Sequence, residues 1–193
     1  MAFNIDRFIG NGLTGGGARP SLFEVFMNFP ATAGIPTDVG NKFRFTCRAT
    51  SIPASTVASV DVPYFGRTIK LAGDRTFTDW NVTVMNDEDY IVRNAFEAWH
   101  NSINSIVSNR RVLDSTSDGT GFKQTALVNH YSKEGNDKVI KSYNFVGLFP
   151  VSVDEMALDW ESTNTIQTFG VTFAYDYWEP TTVSPSPDIS VDI

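Results

Sequence analysis

Over segment after segment of this chain every second residue is apolar, and a period of two commits a sequence to half-buried β-strands. Residues 22–29 place Phe23, Val25, Met27 and Phe29 on one face. Residues 42–48 alternate Phe43, Phe45 and Cys47 against Lys42, Arg44, Thr46 and Arg48. Residues 57–62 and 65–71 read as strands joined at Pro63-Tyr64, and the pattern through residue 87 carries a tight turn at Ala72-Gly73-Asp74. Residues 76–85 set Trp80, Val82 and Val84 against Asn81 and Thr83. Residues 122–131 and 138–146 form a hairpin around Glu134-Gly135-Asn136-Asp137,. Residues 165–178 are the longest strand, with Phe169, Val171, Phe173, Tyr175 and Tyr177 on one face and Thr168, Gly170, Thr172 and Ala174 on the other.

One segment changes period. Across residues 87–107, Val92, Phe96, Trp99, Ile103 and Ile106 recur every three or four positions, the mark of an amphipathic helix,. Asn86 or Asp87 is placed to cap it, and Glu88 and Asp89 suit the positive end of its dipole,. The predicted fold is mainly β and antiparallel, with one packed helix. Residues 1–18 are polar, end in Gly15-Gly16-Gly17, and read as a flexible arm,. Residues 180–193, with three prolines and three serines, read as an extended tail,. The folded domain is 19–179.

At 193 residues the chain is long enough for a sizeable core, and 13% aromatic content with 15 Phe favours a β-rich interior,. A formal net charge of −7 argues against wrapping nucleic acid, where affinity comes from Lys and Arg on phosphates,. The single Cys47 excludes an intrachain disulfide and a cysteine-built metal site,. The N-terminus lacks a basic segment followed by an apolar run, so no secretory signal is read there,. No apolar run approaches the ~18 residues a membrane span needs, so no membrane insertion is expected.

Motifs of chemistry are weak. Gly10, Gly12 and Gly15 fit a dinucleotide fingerprint, but Gly16-Gly17-Ala18-Arg19-Pro20 opens no helix to meet a pyrophosphate,. The acidic run Asp87-Glu88-Asp89 lacks the glycine and distal Glu of a calcium loop,. Asp159 and Glu161 flank Trp160 and would share a face if extended; a carboxylate pair can hydrolyse glycosides, but a solvated or subunit-facing edge is the plainer reading,. His100 and His130 have no nucleophile or metal-ligating partner nearby, and Cys47 reads as a small core residue,. No cofactor, metal or catalytic residue is assigned, and no enzyme is read.

Residues 51–65, SIPASTVASVDVPYF, resist a bland explanation. They are small and apolar, with Asp61 as their one charge. An exposed hairpin of that composition is an aggregation hazard unless another chain covers it, which points to self-assembly.

Several blocks together resemble the tail tube proteins of contractile-tailed, T4-like bacteriophages. They are Ala18-Arg19-Pro20-Ser21-Leu22-Phe23, Phe45-Thr46-Cys47-Arg48-Ala49-Thr50-Ser51-Ile52-Pro53, Ala72-Gly73-Asp74-Arg75-Thr76-Phe77, Trp80-Asn81-Val82-Thr83-Val84-Met85-Asn86-Asp87, and Leu158-Asp159-Trp160 through Asp176-Tyr177-Trp178-Glu179. The resemblance runs in order over residues 18–179. Three stretches depart from it: residues 31–41, which lengthen the first hairpin, the loop 104–121, and the tail after Glu179.

The resemblance implies a β-sandwich or barrel with one helix, whose strands join a barrel spanning a ring of subunits. Hexameric rings would stack into the inner tube of a virion tail, assembled in the host cytoplasm, through which the genome passes. Implied partners are other copies of the chain, the sheath, baseplate and terminator proteins, and a tape measure protein and duplex DNA in the lumen. Residues 50–71 would grip the adjacent ring through Val57, Val60, Val62, Tyr64 and Phe65. A wall that lets phosphate slide should lack cations, which makes Thr168, Gly170, Thr172, Ala174 and Asp176 the lumen candidates. The alternative is that this face meets the helix, with Trp99 over Gly170. The alternative function is a tube in a phage-derived contractile injection system, with no genome to pass.

Overall fold

The computed structural model describes residues 5, 8–13, 16–110, 121–134 and 138–181. The period-two segments become strands: β1 Phe23–Met27, β2 Cys47–Thr50, β3 Ser55–Tyr64, β4 Arg67–Phe77, β5 Trp80–Met85, β6 Gln124–Tyr131, β7 Val139–Val153, β8 Thr168–Ala174 and β9 Tyr177–Thr181. Two α-helices interrupt them, α1 Val39–Thr46 and α2 Ile91–Ile103. Seven strands make one antiparallel sheet in the order β1-β6-β7-β8-β5-β2, with β9 also paired to β7. β3 and β4 form a separate two-stranded sheet. The fold is mainly β and antiparallel as the alternation predicts. The large sheet stays open within one chain: β1 and β2 lie at opposite ends of its order, and no ladder joins them among the described residues.

The core lies on the face that the alternation assigns to it. In the β5–β8 ladder Trp80 opposes Phe173, Val82 opposes Val171 and Val84 opposes Phe169, all buried. Helix α2 lays Val92, Ala95, Phe96 and Trp99 onto this face. The Phe96 and Trp99 rings sit 5.7 and 6.5 Å from Phe173. Trp80 stacks on Phe145 of β7 at 4.4 Å. Both buried indoles are satisfied: Trp80 Nε1 donates to Thr50 Oγ1 at 2.8 Å, and Trp99 Nε1 to the Phe122 carbonyl at 2.9 Å,. With α2 on the Phe169/Phe173 side, Thr172 is not under the helix. The placement of Trp99 over Gly170 is therefore excluded; the Asp154 carboxylate covers Gly170 instead.

Four sequence expectations are corrected. Residues 42–48 are not a strand: helix α1 runs to Thr46, and only Cys47 and Arg48 are extended. Val39 and Phe43, one helical turn apart, are fully buried, whereas Phe45 is 73% exposed,. Residues 31–41 accordingly lengthen no hairpin, because β1 pairs β6 and β2 pairs β5.

Second, Ala72-Gly73-Asp74 is not a turn. β4 runs straight through it, and two of its residues bulge opposite Ala58, because Val57 pairs with Arg75 while Ser59 pairs with Ala72,. Nor does the chain turn at Pro63-Tyr64. Phe65 and Gly66 make the reversal with φ of 43° and 79°, the two positive values a tight hairpin requires,.

Third, helix α2 starts at Ile91, behind Tyr90 in the left-handed region, and neither Asn86 nor Asp87 caps it. Asn86 instead bonds Gln167, and the acidic run is tied to α1 by Lys42, 2.5 Å from Asp87 and 3.2 Å from Asp89. The helix ends at Ile103, leaving Ile106 83% exposed.

Fourth, residues 165–178 are not one strand, and the longest is β7 with fifteen residues. The pairing along β7 breaks between β8 and β9, and the faces change over there. Phe145 pairs with Trp178, which packs on the core, while Tyr177 is 45% exposed. Residues 1–4, 6–7 and 14–15 of the N-terminal arm, residues 111–120, residues 135–137 of the turn and the tail beyond Thr181 lie outside the described residues.

The break is built around Gly147. Its φ is +71°, and a Cβ there would fall 2.0 Å from Asp176 Oδ2 and 3.2 Å from the Asp176 Cβ. Lys123 Nζ holds that carboxylate at 2.7 and 2.8 Å. Gly147→Ala should lose about 1–2 kcal/mol from the left-handed strain alone. Urea unfolding reads the loss, and an unchanged midpoint would contradict this account of the break.

Cys47 packs against the core at the α1–β2 junction, and burial pushes its thiol up to about 12 from an ordinary 9.0. Its thiolate fraction at neutral pH should fall by roughly a thousandfold, and reactivity with it. A disulfide reagent should label Cys47 only as the protein unfolds in denaturant; fast labelling of the native protein would refute this.

Candidate self-assembly interface

The β3–β4 hairpin stands apart from the core that should stabilise it. All ten residues of β3 and nine of the eleven in β4 are exposed. A two-stranded hairpin is marginal by itself in water. Cross-strand register puts Val60 with Leu71, Val62 with Ile69 and Tyr64 with Arg67, so these six side chains share one face,. The opposite face carries Ser59 with Ala72, Asp61 with Lys70, and Pro63 with Thr68. One face is thus an apolar stripe and the other mostly polar, the pattern of a surface with one side meant for burial. Each of Val60, Ile69 and Leu71 is about half exposed.

Of the residues expected to make ring contacts, Val60, Val62 and Tyr64 are brought together on this face. Phe65 lies at the tip, 91% exposed, with its ring edge-on to Tyr64 at 4.7 Å. Strand alternation puts Val57 on the other face. Ile69 and Leu71 complete the stripe and were not singled out from sequence; their cross-strand partners become readable once the turn is placed at Phe65-Gly66 rather than two residues earlier at Pro63-Tyr64. Among the described residues the hairpin is tied down at its base, where Thr78 N–H donates to the Ala54 carbonyl and Phe77 packs on Tyr175 and Trp178.

A second surface is the outer face of the β5–β8 ladder. Asn81, Thr83 and Met85 lie opposite Thr172, Gly170 and Thr168, and Thr172 Oγ1 donates to Asn81 Oδ1 at 2.8 Å. Ala174 ends this row, which carries no Lys or Arg. Asp176 is not part of it: it follows β8 and is ion-paired with Lys123.

The residues weighed for chemistry are spent on structure. His100 lies half-buried in α2, and burial lowers its pKa. His130 Nε2 lies 2.6 Å from the Arg19 carbonyl. Asp159 and Glu161 do not flank an extended segment but a turn, in which Asp159 Oδ1 accepts the Glu161 N–H at 3.1 Å. Among the described residues no cluster of three or more His, Cys, Asp or Glu is arranged to hold a metal. No described helix is long and apolar enough to cross a membrane.

Similarity to known proteins extends over this whole architecture. The profile of the phage tail tube protein family matches residues 18–181. The chain is 40% identical to the tail tube protein gp19 of Enterobacteria phage T4 over 162 residues, which are 84% of this chain and 91% of the relative. It is 26% identical to the tail tube protein of Serratia phage KSP90, covering 89% and 93%. In fold it resembles a chain of the sheath-tube complex of an extracellular contractile injection system, with TM-score 0.58 and 13% identity, covering 94% of this chain and all of that one. It also resembles a chain of the tube-terminating cap of the anti-feeding prophage, with TM-score 0.60 and 16% identity, covering 86% and 91%. Isolated hairpin, cation-free sheet face and sequence kinship converge, and this chain belongs to the phage tail tube protein family, structural components of contractile bacteriophage tails.

Proposed function

We propose that the chain assembles into hexameric rings that stack as the inner tube of a contractile bacteriophage tail, and that the phage genome passes along its lumen. The observation that carries this reading is the 40% identity to the T4 tail tube protein across most of both chains. Fold likeness to the injection-system chains runs at 13–16% identity, so kinship favours a virion component over an injection system. The tube would form in the host cytoplasm and take the sheath, baseplate and terminator proteins as partners outside and at its ends. A tape measure protein and then DNA would occupy the lumen, without specific binding.

The physical requirements agree. Open edges at β1 and β2 leave the sheet free to continue into neighbouring copies, and closure into a ring removes edges that would otherwise aggregate,. A closed barrel above about 16–18 strands keeps an open channel. We assign the channel wall to the outer face of β5–β8, with Asn81, Thr83, Thr168, Thr172 and Ala174, and with Asp154 over Gly170. Such a wall has no cation to hold phosphate. The stripe Val60, Val62, Tyr64, Ile69 and Leu71, with Phe65 at its tip, is assigned to the contact between rings.

Two substitutions separate these assignments. Val60→Asp should leave the subunit folded, because Val60 is 51% exposed in the single chain. It should block tube growth, since it puts a charge where about 1 kcal/mol or more of apolar burial is expected per copy. Normal tubes from this variant on electron-microscope grids would overturn the hairpin assignment. Thr172→Lys should assemble normally but bind duplex DNA with a steep dependence on salt, each ring contributing several phosphate contacts. Unchanged DNA retention would place Thr172 away from the lumen.

A further inference from the structure

The hairpin stripe needs an occupant, and the strand order constrains where one can lie. The hairpin leaves the sheet beside Trp80, at the start of β5. At the other end of β5, Asn86 fastens the loop 154–167: its N–H donates to the Gln167 carbonyl at 2.8 Å, and its Nδ2 to Gln167 Oε1 at 2.9 Å. Gln167 Nε2 in turn donates to the Ala157 carbonyl, and Arg93 Nη1 to the Asp154 carbonyl at 2.7 Å. The two features are separated by the length of β5, roughly 17 Å at 3.4 Å per residue.

This loop carries another exposed apolar surface. Trp160 is 100% exposed, Leu158 84% and Ile166 69%. A tryptophan held wholly in water by a well-anchored loop is the residue type that dominates protein–protein contacts. The charges of the two features complement each other. The loop holds Asp154, Glu155, Asp159 and Glu161 and no Lys or Arg. The hairpin holds Arg67, Lys70 and Arg75 against Asp61 and Asp74, and Arg67 sits at the end of the apolar stripe beside Tyr64.

We propose that the Tyr64/Arg67 end of the hairpin docks on the Asp159-Trp160-Glu161 turn of a second copy. The Arg67 guanidinium lies over the Trp160 indole and between the flanking carboxylates, and the stripe behind it covers Leu158. The chain does not make this contact within itself, since the whole of β3 is exposed. Donor and acceptor patches differ, so the contact is heterologous and can propagate from copy to copy as an open stack. The proposal rests on the reading that copies of this chain stack.

Charge exchange tests the pairing. Arg67→Glu and Glu161→Arg should each reduce tube yield at least tenfold and leave the circular dichroism unchanged. The double variant, which restores complementarity in every contact, should recover most of the yield; a double variant no better than the singles overturns the proposal. Proximity is tested separately in a Cys47→Ala background by mixing Thr68→Cys protein with Ser162→Cys protein and adding a short bismaleimide. The expected product is the mixed dimer, well above either homodimer. Tubes that form without the mixed dimer contradict this pairing and leave the tube reading standing. A mixed dimer from protein that never forms tubes supports the pairing and counts against the tube.

Discussion

Everything in this subunit hangs on the burial of one helix stripe against one sheet face. Val92, Phe96 and Trp99 of α2 meet Phe169, Val171 and Phe173 of β8 and the Trp80, Val82 and Val84 row of β5. These side chains are almost wholly withdrawn from water, and each contributes about 1.5–3 kcal/mol of hydrophobic stabilisation,. The interaction also has a directional consequence. With α2 on one side of the β5–β8 ladder, the other side is left largely polar, with no Lys or Arg on its strands and the Asp154 carboxylate over Gly170. The same alternation that builds the core therefore makes the surface assigned to the channel.

The hairpin obeys the opposite logic. It has a hydrophobic face and no core to receive it, so its stability is incomplete in the single chain. Natural sequences avoid long exposed apolar strands unless something covers them. In the proposed tube of repeated copies that cover would come from a neighbouring copy, and the cost of exposing the stripe before assembly would be offset on stacking. Kinship with tail tube proteins and this local imbalance are independent observations, and both support the proposed self-association.

Much of this was legible in the sequence, and the failures have physical causes. Helix α2 announced itself because its apolar residues keep a 3.6 period over three turns. Helix α1 did not: it is eight residues long and buries only Val39 and Phe43, while the chance alternation of Phe43, Phe45 and Cys47 imitates a strand. The Gly73-Asp74 pair has turn chemistry, but in β4 it serves a bulge; the true turn puts Phe65, a bulky residue, at positive φ, which sequence patterns do not anticipate,. The outer face of β8 was readable from alternation alone. The change of face at Tyr175–Asp176 was not, because it depends on Gly147 in a different strand. Ile69 and Leu71 escaped notice because the misplaced turn hid which residues they face.

The central claim is that the β3–β4 hairpin is an uncovered element that a second copy covers. Hydrogen–deuterium exchange on monomer and on assembled tubes measures this at the backbone. Residues 55–77 should exchange fast in the monomer and at least about tenfold more slowly in tubes, with β6 and β7 protected in both. Equal exchange of residues 55–77 in the two states would contradict the account.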